Sequence, residues 1–157
     1  MATLRQVFNN VNALDVVKES MVVINDHSED IVELNKKQML KGENNIDQSL
    51  PRYVDDPYFK SRESALRYQS WKESISPNKQ KPSGVMDFYI NGKYHNSLIM
   101  QTSKDYFVIK SLSPINGSVS NKTSGRHLGL NKKTKAIMIN DFFFAELMQR
   151  IKSVTKL

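Results

Sequence analysis

Residues 15–40, "DVVKESMVVINDHSEDIVELNKKQML", contain neither glycine nor proline. Val17, Met21, Ile24, Ile31 and Leu34 fall on one helical stripe within that run, so a helix is the expected outcome. As one rod it would be roughly 40 Å long at 1.5 Å per residue. Asp15 offers an N-cap after a break at Leu14, and Gly42 follows Lys41 as the left-handed residue that ends the helix. The segment "His27-Ser28-Glu29-Asp30" interrupts the stripe. It is either a wet patch on one long N-terminal helix or a joint between two. Ahead of it, Thr3-Leu4-Arg5-Gln6 has the form of a capping box. Leu4, Val7, Phe8 and Val11 follow at helical spacing, so residues 1–14 read as an N-terminal arm.

The remaining chain alternates polar loops with shorter elements. Residues 43–57 are turn-rich, with a short strand expected near Arg52–Val54. Tyr58, Ala65, Leu66, Tyr68 and Trp71 suggest a second helix over about 58–75. Residues 76–84 are a linker by composition. A β region follows over about 85–112, and residues 113–125, "SPINGSVSNKTSG", read as a flexible loop. Within the β region, Asn91-Gly92 signals a reversal. A two-residue turn there would set the apolar face of one strand against the polar face of the other. A three-residue loop repairs the register, and a helical turn across 91–97 would also bring Tyr94 and Leu98 together. A second reversal at Ser103-Lys104-Asp105 joins "LIMQT" to "YFVIK", both strand-like in composition. From Asn131 the chain turns helical again, with Asn140-Asp141 as a break. The expected architecture is a single α+β domain over 1–157: a long N-terminal helix, a small antiparallel sheet, C-terminal helices and extended loops.

Hydrophobic residues make up 39% of the chain, which supports a modest core. No apolar run approaches bilayer-spanning length, so no membrane partner is expected. "MATLRQVFNN" lacks the apolar region of a secretory signal. The absence of cysteine removes disulfides, thiolate nucleophiles and cysteine-ligated metals together.

The net charge of +7 is unevenly placed. Residues 1–80 carry 11 Lys/Arg against 12 Asp/Glu, whereas residues 81–157 carry 12 against 4. No acid lies between Asp105 and Asp141, and Lys110, Lys122, Arg126, Lys132, Lys133 and Lys135 fall in that gap. Such a strip suits nucleic acid or an acidic partner. The alternative is a solvated basic loop. The stretch 122–135 has no aromatic for base stacking and no zinc-finger or RNP signature, so any DNA contact would be non-specific and made to phosphate.

Catalytic motifs are missing. His27, His95 and His127 do not share metal-ligand spacing, and each is expected to be a surface or capping group. No nucleophile elbow presents a serine. Gly92-Lys93 lacks the upstream glycine and following Ser/Thr of a phosphate loop. The expectation is a non-enzyme with no cofactor and no metal. Phe142-Phe143-Phe144 is apolar on all sides, so at least one ring must face beyond a thin core. These three are the candidate subunit interface.

The order of features carries a resemblance. "DIVELNKKQMLKGEN" at 30–44 is followed by "YQSWKESISP" at 68–77, "MDFYINGKYHNSLIM" at 86–100, "YFVIKS", "HLGLN" at 127–131 and a closing "AELMQRIKSVTKL". This pattern resembles small virion proteins from tailed phages of Bacteroidetes, including crAss-like phages. More distantly it is similar to neck and tail-completion proteins of long-tailed phages. In those, a segment of the type TGxhxxSh, with h apolar, lies in the β region. Asn91-Gly92-Lys93-Tyr94-His95-Asn96-Ser97-Leu98 occupies its place, with Asn91 where Thr is common. The resemblance spans roughly residues 28–157. It implies a structural protein made in the host cytoplasm and built into the virion. There a homo-oligomeric ring, a hexamer or dodecamer, would surround the DNA channel at the head–tail connector. Its partners would be copies of itself, adjacent portal, neck or tail proteins, and packaged DNA. The rival reading is a small basic DNA-binding accessory protein.

Overall fold

The computed structural model describes residues 3–156, and the chain is α+β. Helix α1 (Leu4–Asn12) opens with the expected capping box: Thr3 Oγ1 accepts from Gln6 N, and Gln6 Oε1 accepts from Thr3 N. Asp15 caps α2 (Val16–Asp26) by accepting from Lys18 N. The expected long helix then breaks at His27, and α3 (Ser28–Leu40) begins on the next residue. His27 takes φ −104° and ψ 25°, which is outside the helical basin. The hydrogen-bond ladder closes with His27 N on Val23 O and reopens with Ile31 N on His27 O. "His27-Ser28-Glu29-Asp30" is therefore a joint. Its two acids fall in the first turn of α3, where negative charge suits the helix N-terminus. The break lets α2 lie along the C-terminal helix while α3 packs on the sheet and on the helix at Lys132–Met138.

Lys41 and Gly42 end α3 as expected, with Gly42 at φ +75°. A Cβ on Gly42 would stand 2.6 Å from Val85 Cγ1, so both its conformation and its contact demand glycine. Residues 43–57 hold no strand of their own. Arg52 makes one antiparallel bridge to Val85, and a 3₁₀ turn occupies Tyr53–Asp55. Helix α4 (Arg62–Ile75) starts later than expected, at a capping box on Ser61 and Ser64.

The β region is smaller than the sequence suggested. Strands β1 (Leu98–Thr102) and β2 (Phe107–Ser111) form one antiparallel hairpin through the predicted second reversal. Residues 85–92 do not pair as a strand of this sheet. Asp87 Oδ1 accepts from Tyr89 N, and Phe88 sits at φ +54°, which turns the backbone out of an extended path. Gly92, at φ +79°, then feeds one helical turn, α5 (Lys93–Asn96). Of the three readings of Asn91-Gly92, the helical turn is the one found. It brings Tyr94 and Leu98 into the same core.

Residues 113–125 are not simply a loop, because Asn116–Thr123 form α6. The polar composition hid two anchors. Val119 is buried in the core, and Thr123 Oγ1 donates to Val119 O while meeting His127 Nδ1 at 2.7 Å. Helix α7 (Lys132–Met138), capped by Asn131, runs through a π-helical stretch at Ile139–Phe143 into α8 (Phe144–Thr155). The break expected at Asn140-Asp141 is that π stretch, a local widening with no interruption.

The core joins α3, the hairpin, α6 and α7 through Ile31, Val32, Met39, Leu98, Ile109, Val119, Leu130 and Met138. Met100 and Ile109 pair across the hairpin on its inner face. The "HLGLN" segment is gripped by carboxamides from α3. Asn35 Nδ2 donates to His127 O and Gly129 O, and Gln38 bonds both Gly129 O and Asn131 N. Burying these amides is tolerated because their polar atoms find backbone partners.

Candidate functional site

Helix α1 is amphipathic, and its apolar stripe faces solvent. Leu4, Phe8 and Val11 recur at i, i+4 and i+7, which places them on one face. They are 88%, 68% and 45% exposed, and no residue of α1 is buried. The helix meets the rest of the chain along α8. Helix α8 also carries exposed apolar groups, with Phe144 61% exposed and Met148 and Val154 partly open. Val16 and Val17, at the start of α2, add two more. Both α1 and α2 pack along α8, so one end of the molecule collects apolar surface that its own fold leaves uncovered.

The structure separates the three phenylalanines proposed as an interface. Phe142 stacks on His27, with centroids 4.2 Å apart and planes at 21°, and packs against the core. Phe143 is half-buried, and only Phe144 is exposed. The π stretch turns these successive rings onto different sides.

The platform beneath this surface is held by ion pairs. Arg150 on α8 bonds Glu19 on α2 at 2.9 Å. His27 lies 2.7 Å from Asp30 through Nδ1 and 2.7 Å from Glu146 through Nε2. The Asp30 hydrogen bond raises the imidazole pKa above its ordinary value, and Glu146 adds to it against the opposing effect of burial.

The acid-free stretch of sequence is not acid-free in space. Lys122 is bonded to Asp56, and Lys133 lies 3.9 Å from Glu43. Lys132 N donates to Asp47 Oδ2. The 43–57 segment thus brings three carboxylates to the basic strip. Lys110, Arg126, Lys132 and Lys135 are exposed and make no salt bridge among the described residues. Of the six predicted cations, Lys122 is firmly engaged, Lys133 keeps a long contact to Glu43 while 76% exposed, and the other four are unpaired in solvent among the described residues.

Two of the histidines expected at the surface are buried. His95 Nε2 meets Asp87 O at 2.8 Å. His127 is fully buried between Tyr94 and Thr123, and burial pushes its pKa down to about 4. Among the described residues, no group of three or more His, Asp or Glu side chains converges as a metal site, and no helix is long and apolar enough to cross a membrane. Single positions in a sequence give no signal that a histidine is buried. The exposed stripe of α1 was legible as a stripe, but its spacing could not say which way it faces.

No protein-family model, no curated protein and no solved structure matches this chain.

Proposed function

We propose that this chain is a non-enzymatic structural subunit of a phage virion. It assembles with copies of itself into a ring at the neck, around the DNA channel and between portal and tail proteins. The observation that carries the reading is the uncovered stripe Leu4-Phe8-Val11 on α1, together with Phe144 on α8. Covering one large apolar side chain is worth about 1.5–3 kcal/mol. A fold that leaves several uncovered at one end supports association there, and a second copy of the same surface is the occupant the ring reading requires. The resemblance across residues 28–157 supplies the virion context. Lys110, Arg126, Lys132 and Lys135 would face packaged DNA or an acidic neighbour.

The second reading, a small basic protein binding DNA without sequence preference, draws on those same four open cations. Native mass spectrometry of the purified chain separates the two. A hexamer or dodecamer is expected for the ring. A monomer or dimer whose DNA affinity falls steeply with salt would replace it with the accessory-protein reading.

A further inference from the structure

We propose that the cleft between α4, the Tyr53–Phe59 turn, the 86–90 segment and α6 is a binding site for a small aromatic carboxylate.

The cleft has a volume of about 370 Å³, within the range of small-ligand pockets. Its walls are aromatic: Tyr53, Phe59, Tyr68 and Phe88 line it. Tyr68 packs with Tyr53 at 5.5 Å and with Phe59 at 5.1 Å between centroids. Such walls favour a flat apolar body.

Two of the polar groups lining it are buried donors without acceptors. Lys72 is 2% exposed and Tyr53 4% exposed, and neither Lys72 Nζ nor Tyr53 Oη has a hydrogen-bond partner. A buried donor left unpaired is costly, most of all a charged one. Asp87 relieves only part of the deficit, as the ion-pair partner of Lys72. Its Oδ2 accepts from Ser76 Oγ at 2.6 Å and its Oδ1 accepts from Tyr89 N at 3.0 Å. Lys72 Nζ stands 3.3 Å from Oδ1 but gains no hydrogen bond there.

The neighbouring cations find acceptors of their own. Lys81 Nζ lies 4.0 Å from the same carboxylate, with its side chain also nearly buried, but it donates to Val85 O at 2.7 Å. At the rim, Lys122 is already paired with Asp56. Lys72 is thus the ammonium group whose hydrogens lack an acceptor. Burial lowers its pKa against the pull of Asp87. A ligand carboxylate entering between the rings would supply the missing acceptor.

The test is calorimetric titration of the full chain with 1-naphthoate and with its neutral counterpart 1-naphthamide. Trp71 emission gives a second readout, since Trp71 packs 5.4 Å from Tyr68. Saturable binding is expected, with naphthoate at least about tenfold tighter than the amide. Ser118→Phe, at an exposed position lining the cleft, should abolish binding and leave the circular dichroism spectrum unchanged. Lys72→Met should bring acid and amide to equal affinity. If Lys72→Met does not fold, the Ser118 variant still decides the matter. Absence of saturable naphthoate binding, equal affinity for acid and amide in the native chain, or unaltered binding in Ser118→Phe would overturn the proposal.

Discussion

His27 at the joint between α2 and α3 is bonded through Nε2 to Glu146 on α8, at 2.7 Å and across 119 residues of sequence. The same ring bonds Asp30 through Nδ1 and stacks on Phe142. One imidazole thus ties the bend in the N-terminal helices to the helix that carries the exposed apolar end. A protonated ring can donate to both carboxylates at once, whereas a neutral ring can donate to only one.

The pH dependence of this tie has a definite sign. The folded-state pKa of His27 is raised above 6.5. Its contribution is therefore complete below the unfolded value and is lost as pH rises through the folded one. Urea denaturation of the native chain and of His27→Gln should show their stability difference shrinking as pH rises above 6.5. A difference that stays constant over that window would contradict the tie.

His127 works in the opposite direction. His127 Nδ1 lies 2.7 Å from Thr123 Oγ1 and Nε2 lies 2.6 Å from Tyr94 Oη, whose hydroxyl also donates to Asn116 Oδ1. A ring held neutral with a pKa near 4 adds stability that is full above 6.5 and is lost as pH falls toward 4. Over that window the loss should be about 3 kcal/mol. Denaturation curves for His127→Asn should lack this acid slope. Tyr94→Phe should cost about 1–3 kcal/mol at neutral pH, because it leaves Nε2 unpaired in the core.

Gly42→Ala should destabilise the chain by about 2 kcal/mol or more. The left-handed backbone costs an alanine about 1–2 kcal/mol, and its methyl group would press on Val85. A thermal melt checks this, and an unchanged midpoint would contradict it.

The basic strip should divide under mutation as it divides in space. Lys132→Ala and Lys135→Ala should each lower the salt dependence of DNA binding by about one counterion, if DNA lies against the strip. Lys122→Ala should leave that slope unchanged and instead lower stability by about 1 kcal/mol, because buried Asp56 loses its partner. Filter binding at several salt concentrations, with a denaturation curve for each variant, separates the two effects.

What the sequence disclosed was local. Thr3 with Gln6, Asp15, Lys41 with Gly42, and the hairpin around Ser103-Lys104-Asp105 could be read because caps and turns depend on residues within a few positions. What it concealed depended on distant partners. The break at His27 is fixed by Glu146 and Phe142, more than a hundred residues away. Helix α6 exists because Val119 and Thr123 meet a core and a histidine that their polar neighbours do not advertise. Residues 85–92 look strand-like until the Asx turn on Asp87 and the positive φ of Phe88 divert them. Of the candidate residues, the six cations were identifiable by charge, but the acids that engage Lys122 and Lys133 come from a loop some 66 to 90 positions earlier. Lys72 gave no sign at all, since a lysine in a polar helix ordinarily sits in water.

The central claim is that the α1–α8 end of the molecule binds further copies of itself. Sedimentation equilibrium of the native chain beside Phe8→Glu tests it most directly. The variant changes an exposed residue on a helix that buries nothing, so its fold should be unaffected. The account predicts a closed assembly of hexamer or dodecamer mass for the native chain and a monomer for Phe8→Glu. A native chain that stays monomeric at every concentration, or a variant that keeps the native mass, would contradict it.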